Sequence, residues 1–163
     1  MYNINRVIKK LTPHRSAAEL FRYFSDEKDC VFLDSSLVNG LGRYSIIGVR
    51  PYLKLVKDDH GFFINGQKVS ELSFEEYLKK YLSEHKDQNE SGLPMLSGAV
   101  GYFSYEYGRK LMKVPSHKEN LVTIPDAVLV FYDMYIIEDC HEKKTYLVAN
   151  GITEDAEKLI ESV

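Results

Sequence analysis

The sequence predicts an α+β fold in which a few helices pack against mainly antiparallel β-strands. An Asn65-Gly66 pair separates two short apolar runs, and both residue types tolerate the positive φ angles of a tight hairpin turn. A long apolar segment at residues 127–138 is followed by a charged turn and a second strand pattern at residues 145–149. Two Ser-x-x-Glu capping boxes mark the beginnings of helices. Hairpins flanked by separate helices are typical of the α+β class.

The N-terminal third contains one predicted helix and two predicted strands. Ser16 and Glu19 form the first capping box, and apolar residues at helical spacing follow them. Residues 30–33 are a continuous apolar run, which predicts a strand that is buried on both faces. Residues 43–49 predict another strand, and Pro51 is expected to end it because proline has no amide donor.

The middle of the chain combines a hairpin with a helix. Residues 52–56 predict a strand, and residues 62–69 form the hairpin around the Asn-Gly turn. The second capping box, Ser73 with Glu76, begins a helix that has an apolar stripe on one face. The polar segment at residues 83–92 ends this helix and is expected to be a mobile loop.

The C-terminal half returns to strands and ends in a helix. Residues 95–105 predict a strand interrupted by two glycines, and residues 110–122 have no regular pattern. Thr153 is expected to cap a last helix, whose apolar stripe has barely begun when the sequence stops at Val163. We therefore expect residues 1–163 to be one domain cut from a longer protein.

Composition predicts a soluble protein with a folded core. The chain has 163 residues, of which 44% are hydrophobic, and a formal net charge of −3. It has no block of Lys and Arg, which argues against a nucleic-acid surface. It also has no run of about 18 apolar residues for a membrane span, and no apolar core of a signal peptide. The only cysteines are Cys30 and Cys140, which favours the reducing cytoplasm.

The residues alone predict no catalytic group and no metal site. Cys140 and His141 are the only close Cys/His pair, and they lie in a predicted hairpin turn without further ligands at metal-site spacing. Gly98 and Gly101 are followed by a strand pattern instead of the helix that a phosphate-binding loop requires. These glycines are expected to allow close packing of the backbone or a bulge.

Two polar features near the start of the second predicted strand have two interpretations each. Asp34, Ser35 and Ser36 follow an apolar run, and such side chains either cap the strand or hold a small polar ligand. Arg43 either forms a salt bridge at the strand edge or clamps a carboxylate. From the residues alone, the protein is therefore an α+β domain with a candidate ligand-binding region.

Three stretches, in order along the chain, resemble one enzyme family. Residues 32–35 (Phe-Leu-Asp-Ser) and 42–48 (Gly-Arg-Tyr-Ser-Ile-Ile-Gly) resemble the segment that opens component I of anthranilate synthase and of aminodeoxychorismate (para-aminobenzoate) synthase. Residues 98–106, with Arg109, are similar to the family's Gly-Gly-x-x-Gly-Tyr-x-x-Tyr-Asp segment. Matches within residues 125–148 follow the same family pattern, so the resemblance covers nearly all of the chain.

The resemblance implies that residues 1–163 are the N-terminal lobe of a larger chorismate-utilising enzyme. Enzymes of this family aminate chorismate with ammonia and Mg²⁺, and a glutamine amidotransferase, component II, supplies the ammonia. Their chorismate and magnesium residues lie in a C-terminal domain that this sequence does not include. We therefore expect no cofactor in this lobe, Mg²⁺ in the full-length enzyme, and no activity from the lobe alone. A lobe without its other half is also expected to expose apolar surface and to self-associate.

The resemblance also implies a tryptophan pocket in this lobe. The Leu-Leu-Glu-Ser element of anthranilate synthases corresponds to residues 32–35, and Ser35 would hydrogen-bond the polar end of the amino acid. The expected lining is Asp34, Ser35, Leu41, Gly42, Arg43 and Tyr44. Aspartate at position 34 resembles the aminodeoxychorismate branch, which leads to para-aminobenzoate and folate, and we expect this branch. The alternatives are the regulatory lobe of anthranilate synthase, in tryptophan biosynthesis, and a stand-alone amino-acid-binding or interaction domain.

Overall fold

The computed structural model describes residues 5–115 and 123–163, which form helices and mainly antiparallel strands. The predicted α+β class is therefore confirmed. In chain order the elements are β1 (Val7–Lys10), α1 (Ala17–Phe21), β2 (Val31–Leu33), β3 (Tyr44–Asp58), β4 (Gly61–Ile64), β5 (Gln67–Val69), α2 (Phe74–Glu84), β6 (Ala99–Phe103), α3 (Tyr105–Leu111), β7 (Ala127–Asp139), β8 (Lys144–Ala149) and α4 (Ala156–Glu161).

The chain divides into two compact units. The first unit combines Met1–Tyr52, Asp87–Gly98 and Phe131–Val163, and the second combines Leu53–Lys86 and Ala99–Val130. The long strands β3 and β7 each contribute one part to the first unit and the other part to the second.

The first unit is a sheet with helices packed on it. Its strands lie in the order β1, β8, β7, β3, and β2 pairs with β3. The central strand β8 runs antiparallel to both neighbours, so that Ala149 lies opposite Val7 of β1 and Met134 of β7. Leu20 of α1 and Leu159 of α4 are each 1% exposed, and burying a side chain of this size contributes about 2 kcal/mol to stability. The two helices and the sheet therefore share one apolar core.

The second unit combines a hairpin with α2. Strands β3, β4 and β5 are neighbours in this order, and Asn65 and Gly66 have φ angles of 49° and 82°, which confirms the predicted turn. The capping box at Ser73 is also present and begins α2. Phe74, in the first turn of α2, is 1% exposed, and its ring centroid lies 5.5 Å from that of Phe62 on β4.

In the same unit, β6 pairs with β7, and Gly101 of β6 lies close to the backbone of β7. A Cβ atom on Gly101 would lie 1.9 Å from the carbonyl oxygen of Val128, so no side chain fits at this position. This contact confirms that Gly101 allows close backbone packing. At Gly98 a Cβ atom would meet nothing within 4 Å, so close packing is wrong for that glycine, whose φ angle of 123° instead lies in the region that favours glycine.

The predicted end of a strand at Pro51 is wrong, because β3 is one element from Tyr44 to Asp58. Arg50 has a φ angle of 58°, in the left-handed region that interrupts the regular extended backbone. Proline is tolerated in a strand at such an irregularity, where the hydrogen-bond ladder is already broken. The patterns at residues 43–49 and 52–56 therefore belong to the same strand.

The prediction that residues 30–33 are buried on both faces is also wrong. Among the described strands, β2 pairs with β3 alone, so it lies at an edge. Leu33 is accordingly 46% exposed. A continuous apolar run is typical of a central strand but does not by itself distinguish it from an edge strand.

The strand predicted at residues 95–105 is shorter in the structure and is followed by a helix. β6 covers Ala99–Phe103, and the Oγ of Ser104 accepts a hydrogen bond from the N–H of Tyr107 (3.0 Å), which caps α3. The helix α3 has no buried residue, and it therefore lacks the apolar stripe by which a helix is predicted. Of the segment predicted to be irregular, residues 116–122 lie outside the described residues.

Asp155, and not the predicted Thr153, caps the last helix. Its carboxylate accepts hydrogen bonds from the N–H groups of Glu157 (3.1 Å) and Lys158 (3.3 Å). The hydroxyl of Thr153 instead donates to Asp133 Oδ2 (2.6 Å), and Asp133 is fully buried. A buried carboxylate needs hydrogen-bond donors, and Thr153 lies where it supplies one to Asp133 instead of capping the helix.

Candidate functional site

The loop between β2 and β3, in the first unit, is attached to β3 by serine hydroxyl groups. Ser45 Oγ accepts a hydrogen bond from the N–H of Ser35 (2.9 Å) and donates one to Asp34 Oδ1 (3.1 Å). Ser35 Oγ donates to the carbonyl oxygen of Tyr44 (2.6 Å). The Asp-Ser pair that the sequence singled out therefore fixes the beginning of β3.

The side chain of an asparagine stabilises a turn in the rest of this loop. Asn39 Oδ1 accepts hydrogen bonds from the N–H groups of Leu41 (2.8 Å) and Gly42 (2.9 Å). A Cβ atom on Gly42 would lie 2.2 Å from the carbonyl oxygen of Leu37, so glycine is required there. Leu41 is 98% exposed and does not border the cavity described below.

Arg43 forms a salt bridge at the strand edge, which is one of the two interpretations that its sequence position allows. Its Nη2 and Nε atoms lie 2.6 Å and 3.0 Å from Asp139 Oδ2. The hydrogen bond from Arg43 is the main reason that the pKa of Asp139 is lowered, although burial of the carboxylate acts in the opposite direction. The guanidinium carbon also lies 4.9 Å from the ring centroid of Tyr44, at cation–π distance.

These side chains border a surface cavity of about 320 Å³ within the first unit. Its polar border has two cations, two carboxylates and two phenol rings. They belong to Arg43, Lys144, Asp139, Glu142, Tyr44 and Tyr146. Ile8 and Leu93 add apolar surface. A cavity that offers both signs of charge beside aromatic and apolar surface is complementary to a small zwitterion with an apolar side chain.

The two cations of the cavity are paired within the protein but accessible to solvent. Lys144 Nζ lies 3.1 Å from Glu142 Oε2, and their side chains are 39% and 55% exposed. The side chain of Arg43 is 48% exposed, whereas that of Asp139 is 7% exposed. The exposed Lys144–Glu142 pair is weak, and the half-exposed guanidinium of Arg43 has more N–H donors than its pair with Asp139 uses, so a ligand carboxylate is able to share the donors of both cations.

The structure brings only part of the predicted tryptophan site to this cavity. Arg43 and Tyr44 border it, whereas Asp34, Ser35 and Gly42 form the loop behind them and do not line it. Sequence reasoning missed four border residues at the end of β7 and beyond it, namely Asp139, Glu142, Lys144 and Tyr146. Lys144 and Tyr146 are two residues apart in β8 and thus on one face, but only the folded sheet places that face beside Arg43.

The described residues provide no cluster of three or more His, Cys, Asp or Glu side chains that could hold a metal ion. None of the helices in the described part of the chain has the length and hydropathy needed to cross a bilayer.

Comparison with known proteins identifies relatives over most of the chain. A family model described as chorismate binding enzyme matches residues 28–162. Anthranilate synthase component 1 of Acetivibrio thermocellus is 30% identical over 138 residues, which are 80% of this chain and 28% of that protein. The protein of the same name from Mycobacterium tuberculosis is 26% identical over 154 residues, which are 88% of this chain and 30% of that protein.

A solved structure agrees with these sequence matches. The crystal structure of anthranilate synthase component I from Streptococcus pneumoniae TIGR4 superposes with a TM-score of 0.61 and 23% identity, over 98% of this chain and 35% of that one. This likeness supports the fold of a lobe of a larger enzyme. The chain spans about 30% of the length of these curated relatives. Because the family model covers most of its residues, the chain belongs to the chorismate binding enzyme family, that of component I of the chorismate-utilising enzymes.

Proposed function

We propose that this chain is the N-terminal lobe of an anthranilate synthase component I and that it holds a site for a regulatory amino acid. The relatives named above support the anthranilate branch, because each is a component 1 of anthranilate synthase. They support it better than the aminodeoxychorismate branch that Asp34 suggests. Amination of chorismate to anthranilate would then be the reaction of a larger protein, since the chain spans 28% of the Acetivibrio relative.

The observation that carries the amino-acid site is the mixed charge of the cavity beside β3. Arg43 and Lys144 offer donors for an α-carboxylate, and Glu142, whose side chain is 55% exposed, offers an acceptor for an α-ammonium group. Its volume of about 320 Å³ is at the lower end for small-molecule sites and suits a single amino acid.

The aromatic border favours an amino acid with a large flat side chain. Tyr44 and Tyr146 border the cavity together with Leu93. Aromatic rings stack or pack edge to face on one another, and each such pair contributes about 1 kcal/mol beyond the burial of its area. Tryptophan, which the family resemblance implies, meets both the charge pattern and this apolar requirement.

Asp34 and Ser35 would act on this site by positioning it. Through Ser45 and the carbonyl oxygen of Tyr44, they fix the backbone that bears Arg43 and Tyr44. Aspartate at position 34 has a shorter side chain than the glutamate of the Leu-Leu-Glu-Ser element. It is nevertheless compatible with ligand binding, because in this arrangement residue 34 does not need to reach the ligand.

The lobe itself would not carry out the chemical step. The chorismate site and Mg²⁺ would belong to the C-terminal domain of the complete enzyme, and the relatives' name, component 1, supports a second component as partner. That partner would be a glutamine amidotransferase that supplies ammonia. We expect the assembly to act in the cytoplasm.

Calorimetric titration of the 163-residue chain with L-tryptophan tests the proposal. We expect saturable heat, and we expect Lys144→Ala to weaken binding about tenfold, since a hydrogen bond to a charged group contributes roughly 1.5–3 kcal/mol. Lys158→Ala is the matched control, because Lys158 is an exposed lysine of α4 that does not border the cavity. An absence of heat at millimolar tryptophan, or equal weakening by both variants, would contradict the assignment.

The aminodeoxychorismate branch is the second candidate, and the product of the complete enzyme distinguishes the two. Asp34 favours this branch, as the family resemblance indicates. With chorismate, ammonia and Mg²⁺, the anthranilate branch gives the fluorescent product anthranilate. Accumulation of 4-amino-4-deoxychorismate instead would overturn the anthranilate assignment and leave the amino-acid site to be judged by the titration alone.

A further inference from the structure

A second cavity of the first unit lies beside the turn that follows α1. Its volume is about 310 Å³, at the lower end for small-molecule sites. Two arginines, one acidic side chain, two aromatic rings and a hydroxyl group contribute to its border. They belong to Arg15, Arg50, Glu27, Tyr23, Phe24 and Ser162. None of them borders the cavity beside Arg43, so the two cavities are separate.

The two arginines of this border have more hydrogen-bond donors than the border has acceptors. A guanidinium group has five N–H donors, and Glu27 is the only acidic side chain on the border. Arg50 Nη1 pairs with Glu27 Oε1. The guanidinium of Arg15 donates to none of the residues that the structure describes. This excess of donors is complementary to an anionic ligand, and a carboxylate matches the two-donor fork of a guanidinium.

Arg50 also has a backbone conformation that is unfavourable for arginine. Its φ angle of 58° lies in the left-handed region, where glycine has no steric penalty. Arg50 lies within β3, whereas the other described non-glycine residues with positive φ angles lie outside helices and strands. These others are Asp29, Asn65, Lys113 and Lys143. Strain inside a regular element is typical of ligand-binding sites, so it supports a binding role for the Arg50 guanidinium.

The backbone around the two arginines is ordered. The N–H of Glu27 donates to the carbonyl oxygen of Phe24 (2.9 Å), which fixes the turn that bears the partner of Arg50. The carbonyl oxygen of Arg15 accepts a hydrogen bond from Thr145 Oγ1 (2.6 Å). The side chain of Arg50 is 37% exposed, so its remaining donors are accessible. A ligand would therefore order few groups as it binds, which favours affinity.

The side chains of the border favour a ligand with one negative charge and a flat apolar body. Arg15 and Arg50 carry two positive charges and Glu27 carries one negative charge, so these side chains have a net charge of +1. A monocarboxylate neutralises this charge, whereas a dianion such as phosphate would leave an excess of negative charge beside Glu27. The ring of Tyr23 is 70% exposed and, with Phe24, provides aromatic surface on which a second ring is able to pack.

We propose that this cavity binds a small aromatic monocarboxylate. The carboxylate of the ligand accepts hydrogen bonds from the guanidinium groups of Arg15 and Arg50, and its ring packs on Tyr23. A volume of about 310 Å³ suits a ligand with a single ring. The proposal does not depend on the amino-acid site beside Arg43, because the two cavities have no border residue in common.

A titration of the ¹⁵N-labelled chain with benzoate, followed by NMR, tests this proposal. We expect saturable shifts of the Nε–H signals of both Arg15 and Arg50, with the same affinity, as benzoate reaches millimolar concentration. Benzyl alcohol has the same ring without the charge and is the matched ligand control. It should bind about tenfold more weakly or less, because it cannot form the charged hydrogen bonds.

Three variants and a control separate binding from a merely structural ion pair. Glu27→Gln should tighten benzoate binding several-fold, because it removes a negative charge and releases a donor of Arg50. Arg50→Lys keeps the positive charge but lacks the planar fork, so binding should weaken. Arg15→Ala should weaken binding about tenfold without disturbing the fold, because its exposed side chain has no partner within the described residues. Arg22→Ala is the control, since Arg22 is exposed at the end of α1 but does not border the cavity.

Several outcomes would overturn the proposal. One is an absence of saturable shifts, and another is a set of shifts at Arg43 without shifts at Arg15 and Arg50. Equal binding of benzyl alcohol would show that the cavity selects no charge, and tighter binding of inorganic phosphate would contradict the ligand class. Weaker binding in Glu27→Gln would leave the Arg50–Glu27 pair a structural one, and equal weakening in Arg22→Ala would indicate unspecific attraction. Thermal unfolding shows whether each variant is folded.

Discussion

Arg43 and Asp139 join the start of β3 to the end of β7 through one carboxylate group. Asp139 Oδ2 accepts hydrogen bonds from both Nε and Nη2 of Arg43, while its Oδ1 accepts from the backbone N–H groups of His141 (3.1 Å) and Glu142 (3.0 Å). The backbone N–H of Cys140 also donates to the carbonyl oxygen of Arg43 (2.8 Å). One buried carboxylate thus orders a strand, a turn and one side of the candidate cavity.

Asp139→Asn is expected to destabilise the chain by about 1–2 kcal/mol, because a hydrogen bond to a charged group is replaced by a weaker neutral one. Asparagine retains an oxygen for the turn, so the fold should survive. The free energy of unfolding in urea measures the effect. Glu142→Gln is the control: its side chain is 55% exposed beside Lys144, and we expect a change below about 0.5 kcal/mol. Equal losses in the two variants would contradict the importance of the Arg43–Asp139 pair.

The Arg43–Asp139 pair also predicts that the stability of the chain depends on pH in the acidic range. The pKa of Asp139 is lowered in the folded chain, chiefly by Arg43, so folding favours its ionised form. Its contribution is complete above the unfolded pKa of about 4 and is lost as the pH falls through the lower folded value. The difference in unfolding free energy between wild type and Asp139→Asn should therefore shrink below pH about 4. A difference in unfolding free energy that grows as the pH falls would contradict this prediction.

Gly101→Ala is expected to destabilise the second unit by about 3 kcal/mol or more, because the new methyl group would overlap the Val128 carbonyl oxygen at 1.9 Å. Gly108→Ala is the matched control on α3. A Cβ atom there meets nothing within 4 Å, and alanine favours the helix over glycine by about 1 kcal/mol. The midpoint temperature of thermal unfolding should thus fall for Gly101→Ala and rise for Gly108→Ala. A tolerated Gly101→Ala would contradict the close contact of β6 with β7.

Tyr107 is expected to stay protonated well above the usual range. Burial, followed by its hydrogen bond to Glu75, raises the pKa of Tyr107 to about 12. The unfolded chain ionises this group near pH 10, so its contribution to stability is present below that pH and is lost as the pH rises towards about 12. Ultraviolet titration should show one tyrosinate fewer at high pH in Tyr107→Phe than in wild type. If the tyrosinate that is missing in Tyr107→Phe is one that ionises near pH 10, the raised pKa of Tyr107 would be contradicted.

The parts of the fold that local chemistry determines could be predicted from the sequence. The capping boxes at Ser16 and Ser73 and the turn at Asn65-Gly66 are present because each depends on residues within four positions of one another. β1 could not be predicted, because its pattern is mostly exposed and it is ordered by pairing with β8, nearly the whole chain away. Such long-range pairing leaves no local periodic signal.

The candidate site was likewise predictable only in part. Family resemblance directed attention to Arg43 and Tyr44, which border the cavity. It did not indicate Asp139 or Lys144, because these residues reach the cavity through the order of strands in the sheet. For Leu41, position beside the motif was a poor guide, because the turn at Asn39 directs its side chain into solvent.

The fluorescence anisotropy of free L-tryptophan, titrated with this chain, tests the proposed amino-acid site most directly. The protein contains no tryptophan, so emission excited selectively at the indole band comes from the ligand alone. The account predicts a saturable rise in anisotropy that Lys144→Ala weakens about tenfold and Lys158→Ala leaves unchanged. Anisotropy that stays at the value of free tryptophan up to millimolar protein would contradict it.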